Sequence, residues 1–482
     1  MKKRFLLIPL LLSTIILNAQ NFVTSAPITV APGSGNYHPQ MEVLGDGELG
    51  VIWTDAVGND IYFSKRNGID QFAAPIQLNP TGVDVQDYNW SGADLIVEGN
   101  NIYVVFRSAG YETGHCYLVK SADNGLTFSD TVRIDNLAVG YAQYPDVTVF
   151  NDTVFVTYMK HDAGSMNPRY VSARSVDGGL TFETEVEAGS LLGNEACDCC
   201  QPEIIADGEK VIIFFRNNAS NIRDIKAVVS YDRGATFTNW FSVDDHNWLI
   251  TSCPSTGPDA RFIDADIVVS AYRSYVSGAP KIFLNEYNVT TDVSLNTIDI
   301  SMDGVTPSGI NYPQIAYAGN LLAIVWEGLG TSTDVFFNAS STGVTGINSS
   351  NAINVTDEIS SQSKPDVAIL NGTFHIVYSE LSGSVVKYCR VNATVDIDEP
   401  VSYSATIYPN PTNGQLKIYL PESIDQSISI NILASDGQCI ENISAIADEE
   451  FIQLDLDHLA TGIYFIEFMS EDRTEVHRIV KY

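Results

Sequence analysis

The chain has 482 residues, 59 of them acidic and 26 basic, for a formal charge of −33. A surface this negative repels phosphate backbones and anionic bilayers, so neither nucleic acid nor an acidic membrane is expected as a partner. With 45% hydrophobic and only 18% charged residues, the sequence reads as globular rather than as a disordered acidic tail, and its length leaves room for more than one domain.

Lys2, Lys3 and Arg4 precede an apolar run from Phe5 to Leu17. This reads as a secretory signal over residues 1–20, cut near Ala19-Gln20. The run is short for a bilayer crossing, and no later stretch is long and apolar enough to be a membrane-spanning segment. Export permits disulfides.

Past the leader one pattern repeats seven times between residues 39 and 380. Each copy is an apolar strand that starts near a proline, a polar turn, and a strand that ends in an aromatic residue. The copies begin at Pro39, Ala93, Pro145, Pro202, Pro258, Pro313 and Pro365. Their second strands end at Trp53, Phe106, Tyr158, Phe215, Tyr272, Trp326 and Tyr378. A third strand, such as 224–230, a turn and a fourth strand complete each unit of about 55 residues, the arithmetic of a propeller blade. The expected fold is all-β, a seven-bladed β-propeller over residues 21–395. Ala-Pro-Ile at 26–28 echoes Ala-Pro-Ile at 74–76. The mature N-terminus is therefore expected to supply the last strand of the seventh blade and close the ring.

Three turns in this stretch share an octet. Ser121, Asp123, Gly125, Thr127 and Phe128 recur as Ser175, Asp177, Gly179, Thr181 and Phe182, and as Ser230, Asp232, Gly234, Thr236 and Phe237. The glycine supplies positive φ, and the Ser and Asp side chains bond nearby backbone N–H groups. This S-x-D-x-G-x-T-F pattern resembles the Asp-box repeat of the sialidase superfamily, where it closes the outer hairpin of propeller blades. The resemblance implies architecture, not chemistry, because those turns lie away from the family's catalytic face. Two departures matter. The family's propellers have six blades, and its Arg-Ile-Pro signature is replaced here by Tyr37-His38-Pro39. Both argue against true sialidase activity.

Residues 396–405, with Asp398-Glu399-Pro400, read as a linker. After them come Tyr408-Pro409-Asn410-Pro411, alternating strands such as Leu416 to Leu420, and Leu459-Ala460-Thr461-Gly462-Ile463-Tyr464-Phe465. Residues 406–482 resemble the type-A C-terminal sorting domain of the type IX (Por) secretion system. That implies a small C-terminal β-sandwich acting as an address, the type IX machinery as a partner, and a secreted or outer-membrane cell-surface location.

Equivalent positions of a propeller converge on one rim. Just after each opening residue stand Gln40, Asp94, Asp146, Glu203, Asp259, Gln314 and Asp366; after the aromatics stand Arg107, Arg216 and Arg273 among others. Crowded carboxyls have raised pKa values, and glycoside hydrolysis needs one carboxyl as acid and another as base or nucleophile. Asp94, Asp146, Glu203 and Asp259 are the catalytic candidates. Arg107, Arg216 and Arg273, with Trp90 and Trp248 as stacking surfaces, are the candidates for binding an acidic glycan. The competing reading makes the same charges salt bridges between blades. His115, His161 and His246 read as structural.

Cys197, Cys199 and Cys200 precede the fourth unit and Cys253 the fifth. Disulfides between these two adjacent loops are the leading expectation; a soft-metal site of thiolates is the alternative. Cys116 is a further member of the group in this reading, Cys389 and Cys439 look isolated, and an odd total leaves at least one thiol unpaired or paired between chains. No cofactor is expected, apart from that possible metal or a cation at the acidic rim. Two functions follow: a glycoside hydrolase acting on extracellular glycans, or a non-catalytic propeller that binds glycan or protein at the cell surface.

Overall fold

A computed structural model describes residues 21–482 apart from 34, 69, 89, 194, 302–305, 331, 357–358, 395–405, 420–426, 435–437, 447–450 and 471–472. The leader 1–20 and the linker 396–405 lie outside the described residues. The chain divides into two compact units, Met1–Val395 and Asp396–Tyr482. Among the described residues all regular structure is strand, apart from three short 3-10 turns, and no helix is long and apolar enough to cross a membrane.

The first unit is built from seven antiparallel sheets of four or five strands. In the third sheet the strands Tyr141–Phe150, Thr153–Asp162, Met166–Ser175 and Val186–Glu187 follow one another outward. The first strand of each sheet packs on the first strand of the next. Gln362–Leu370 of the last sheet returns to Asn36–Val43 of the first, so the sheets close into a ring. Asn21–Thr24 and Ile28–Ala31 pair with Val385–Thr394 and complete the last sheet, as two short strands rather than one.

Each junction between neighbouring sheets is filled by its own apolar cluster. Ile212, Phe214, Val268 and Tyr272 pack between the fourth and fifth sheets; Val51, Trp53, Val377 and Tyr388 pack between the last and the first. Middle strands such as Lys210–Asn218 are therefore buried on both faces. This is why Val-Ile-Ile-Phe-Phe runs unbroken there instead of alternating with polar residues.

The three octets form the same clamp. Ser121 Oγ donates to Asp123 Oδ1 (2.8 Å) and accepts the Gly125 N–H (2.9 Å), while Asp123 accepts the Thr127 N–H (2.9 Å) and hydroxyl (2.6 Å). The bonds repeat at Ser175–Asp177–Gly179 and Ser230–Asp232–Gly234. Gly125 sits at φ 79°, and a Cβ there would overlap the Phe63 ring of the preceding sheet, so the position excludes a side chain twice over. The Thr127 and Ser121 bonds hold the Asp123 carboxyl down at about 2.

In the second unit Thr406–Tyr408, Gln415–Tyr419 and Ile452–Asp455 form one sheet. Ser427–Ala434, Cys439–Ile446, Gly462–Ser470 and Arg473–Lys481 form another. The two share a core of Leu416, Ile418, Leu454, Ile430, Ile466, Phe468 and Ile479.

Candidate functional site at the ring centre

The first strands carry a repeated irregularity. Register slips between Tyr37 and Gln40, Gln143 and Asp146, Asn311 and Gln314, and Ser363 and Asp366. Each slip contains a proline, which cannot donate to the ladder. The residue before it takes positive φ: His38 48°, Tyr144 52°, Tyr312 45° and Lys364 53°. Side-chain-bearing residues rarely accept this conformation. The bulge turns the next residue, an acid or a glutamine, inward.

Inside the ring lies a cavity of about 290 Å³, lined by His38, Gln40, Glu42, Trp90, Asp94, Asp146, Glu203, Asp259, Arg261, Gln314, Tyr312 and Lys364 among others. The four catalytic candidates thus share one cavity. Most are also engaged in holding sheets together. Asp94 Oδ2 accepts the Val147 N–H of the next sheet (3.1 Å), Asp146 Oδ2 that of Ile204 (2.6 Å), Asp259 Oδ2 that of Ile315 (2.5 Å), and Asp366 Oδ2 that of Met41 (2.6 Å). With its amide turned to satisfy both ends, Gln314 donates to Asp259 Oδ2 (3.1 Å).

Arg261 is the cation that pairs with the acids of this cavity. It bonds Glu203 Oε1 and Asp259 Oδ1, each at 2.7 Å. Its side chain keeps 34% exposure, so these pairs are solvent-screened rather than dry. Arg261 and Lys364 together do not balance Glu42, Asp94, Asp146, Glu203 and Asp259. Burial, opposed by the Val147 N–H, pushes Asp94 up to about 6. Burial and the charges of Glu203 and Asp94 push Asp146 well above the usual carboxylate range, and burial with Asp259 does the same to Glu203. Burial pushes Glu42 up to about 7 against the pull of Arg261. Sequence reasoning missed Arg261 and Glu42. Each stands two residues past a rim position, Asp259 and Gln40, and the period-two alternation of a strand puts both on the inner face.

The arginine candidates are occupied elsewhere. Arg216 is fully buried and donates to the backbone oxygens of Thr256 (3.2 Å), Arg223 (2.6 Å) and Arg273 (2.9 Å). Arg107 donates to Ala142 O (2.7 Å) and Gly110 O (2.8 Å). Arg273 lies 5.4 Å from the Trp248 ring, with Arg216 at 4.9 Å. Trp248 is buried under these two guanidiniums and offers no open stacking face. Trp90 is among the lining residues, with one face stacked on Tyr88 (5.4 Å between centroids).

His115 and His246 bond Asp135 and Asp244; His161 stacks on Tyr141. Cys199 and Cys253 form a disulfide that ties the approach to the fourth sheet to the approach to the fifth. Cys197 and Cys200 are buried beside it as thiols. The sulfurs of Cys197, Cys199 and Cys200 lie within 4.8 Å of one another. The disulfide takes up Cys199 and Cys253, and it would have to be reduced before all four sulfurs could serve as soft-metal ligands. Cys116 and Cys389 are buried in other apolar clusters, and Cys439 is exposed.

No curated protein matches the chain by sequence. Among solved structures it resembles an α-L-arabinofuranosidase of Fusarium graminearum (15% identity, 65% of this chain and 95% of that one, TM-score 0.45). It also resembles a sialidase of Trypanosoma rangeli (11%, 96% and 89%, 0.44) and a protein of unknown function from Dyadobacter fermentans (10%, 77% and 99%, 0.44). At this distance the likenesses say nothing of chemistry. The tail is a different matter: residues 406–482 match the secretion system C-terminal sorting domain, so the chain ends in an export address for the type IX machinery.

Proposed function

We propose that the protein is an exported glycan-processing propeller, a candidate glycoside hydrolase, with its site in the central cavity. On this reading the seven sheets are the blades of a seven-bladed β-propeller, the tail is a small β-sandwich, and the propeller works outside the cell or on its surface. The observation that carries the reading is the gathering of Asp94, Asp146 and Glu203 in one cavity lined also by Trp90, where burial raises all three carboxyls. Glycosidic cleavage needs a carboxylic acid that keeps its proton at the working pH and a second carboxylate to act as base or nucleophile. Asp94, pushed up to about 6, is suited to the acid role in mildly acidic surroundings. Burial raises Asp259 as well, but Arg261 and the Ile315 N–H oppose that rise, so of the carboxyls it is the one suited to the second role. Trp90 supplies a flat apolar face for a sugar ring. The left-handed residues around the rim add support, because strain of this kind collects at working sites.

A second reading has its own observation. The four aspartates bond backbone N–H groups of the neighbouring sheet, and Arg107 and Arg216 donate to backbone carbonyls. Such a rim favours a binding propeller without turnover. One experiment separates the two: a panel of extracellular glycans is incubated with the protein and assayed both for reducing ends and for binding. Release of reducing sugar that is lost in Asp94→Asn and Glu203→Gln supports the hydrolase. Binding without release supports the second reading, and neither binding nor release removes both.

A further inference from the structure

The loop Cys197-Asp198-Cys199-Cys200 plays no part in the central cavity, yet it gathers reactive sulfur. Cys197 Sγ lies 3.2 Å from Cys200 Sγ and 3.6 Å from Cys199 Sγ, the inner end of the Cys199–Cys253 disulfide. Arg223 Nη1 donates to Cys197 Sγ at 3.0 Å, and Arg223 itself is buried. Cys197, Cys199 and Cys200 are buried, whereas Cys253 is exposed. A buried free sulfur, hydrogen-bonded by an arginine, therefore lies against one sulfur of a disulfide whose other sulfur belongs to an exposed residue.

We propose that these four cysteines form a thiol–disulfide exchange centre whose reaction partner is a soluble disulfide outside the cell. The Cys197 thiolate attacks Cys199 Sγ; the Cys197–Cys199 bond forms, the Cys199–Cys253 bond breaks, and its electron pair leaves on Cys253 as a thiolate. Charge is conserved and no oxidant is consumed. Cys253 then attacks one sulfur of the soluble disulfide, forms a mixed disulfide and releases the other half as a thiolate. The exchange needs an anionic attacking sulfur and a leaving sulfur that reaches water.

The surroundings favour both. The Cys200 S–H bond and the guanidiniums of Arg216 and Arg223 outweigh burial and hold Cys197 down at about 6, which favours its thiolate. Burial pushes Cys200 the other way, which keeps its proton in place as a donor to Cys197. The leaving thiolate at Cys253 is stabilised by solvent. A disulfide serving only as a staple between loops has no use for an ionised thiol against its inner sulfur.

The test uses the full mature chain, purified without reductant and incubated with oxidised glutathione. Acid quenching, digestion and mass spectrometry then map its sulfur links. Glutathione is expected on Cys253, in chains that also carry a Cys197–Cys199 link. Exposed Cys439 reports that the reagent is active. Cys197→Ser is expected to slow modification of Cys253 at least tenfold. If that variant does not fold, the Cys197–Cys199 link in the unaltered chain is itself the deciding readout. Modification of Cys439 with none on Cys253 overturns the proposal. So do modification of Cys253 at an unchanged rate in Cys197→Ser, and a stoichiometric metal held by four free sulfurs.

Discussion

Asp146 and Ile204 join two sheets by one bond: the Asp146 carboxyl Oδ2 accepts the Ile204 N–H at 2.6 Å. The same contact recurs from Asp94 to Val147, from Asp259 to Ile315 and from Asp366 to Met41. Ring closure therefore rests on polar bonds at the axis as well as on apolar clusters further out. Asp146→Ala leaves a buried N–H without a partner, a loss of about 1–3 kcal/mol. Asp146→Asn keeps an acceptor oxygen and is expected to lose less than half as much. Urea unfolding of the two variants checks this order; equal losses would mean that the bond to Ile204 adds nothing.

Ser175 tests the outer clamp. Its buried hydroxyl accepts the Gly179 N–H at 2.8 Å and donates to Asp177 at 2.6 Å. Ser175→Ala is expected to lower stability by about 1–3 kcal/mol, since the Gly179 N–H stays buried and unpaired. Central-cavity binding should not change, because the turn lies at the far end of its sheet. A variant with normal stability and impaired glycan binding would contradict both points.

The outer turns and the axis differ in how readily they are read from sequence. The octets announce themselves because a clamp needs Ser, Asp, Gly and Thr at fixed offsets, and a proline at four of the seven strand openings marks the bulge that turns residues such as Asp146 and Asp366 inward. The pairing of Asn21–Thr24 with Val385–Thr394 was also visible, through the repeated Ala-Pro-Ile. What Arg216 does was not. A charge after a core aromatic looks the same whether it faces a ligand or the carbonyls of Thr256 and Arg273, and only the path of the neighbouring sheet decides. The same holds for Trp248, which two guanidiniums cover. The partner of Cys253 was open for a related reason: three cysteines stand within four residues, and backbone direction selects Cys199.

The tail makes a cellular prediction. With residues 406–482 read as a sorting address, a chain ending at residue 405 should cross the inner membrane and accumulate in the periplasm. The intact chain should reach the medium or the cell surface. Fractionation and immunoblotting of the producing cells check this. Equal surface delivery of the shortened chain would show that the tail is not what the machinery reads.

Glu42 gives stability a pH dependence of known sign. Its carboxyl titrates near 4.5 when unfolded and at about 7 when folded, because burial favours the neutral form. Between these values the folded chain holds a proton that the unfolded chain has lost. The contribution is fully present below pH 4.5 and is lost as pH rises through about 7. Asp94 acts in the same direction between 3.8 and about 6. Buried His375, pushed down to about 4, acts in the opposite one. The comparison is therefore between two chains and not along one curve. Relative to Glu42→Gln, the unaltered protein should lose denaturation midpoint steadily from pH 4.5 to 7.5, and parallel curves would refute the assignment.

Turnover, where it is found, should report the acid directly. If Asp94 donates the proton to the leaving oxygen, only its protonated form works, and it loses that proton at about 6. The kcat/KM is then expected to fall as pH rises past about 6, by roughly tenfold per pH unit once the acid is mostly ionised. Asp94→Asn should lower kcat by about 10²–10⁴ while leaving sugar affinity near its original value, since positioned proton transfer contributes on that scale. Trp90→Ala should do the reverse, weakening binding through loss of the stacking face while the pH profile keeps its shape. A profile that stays flat from pH 5 to 8 would move the acid role from Asp94 to Asp146 or Glu203, whose protons burial and like charge hold to higher pH.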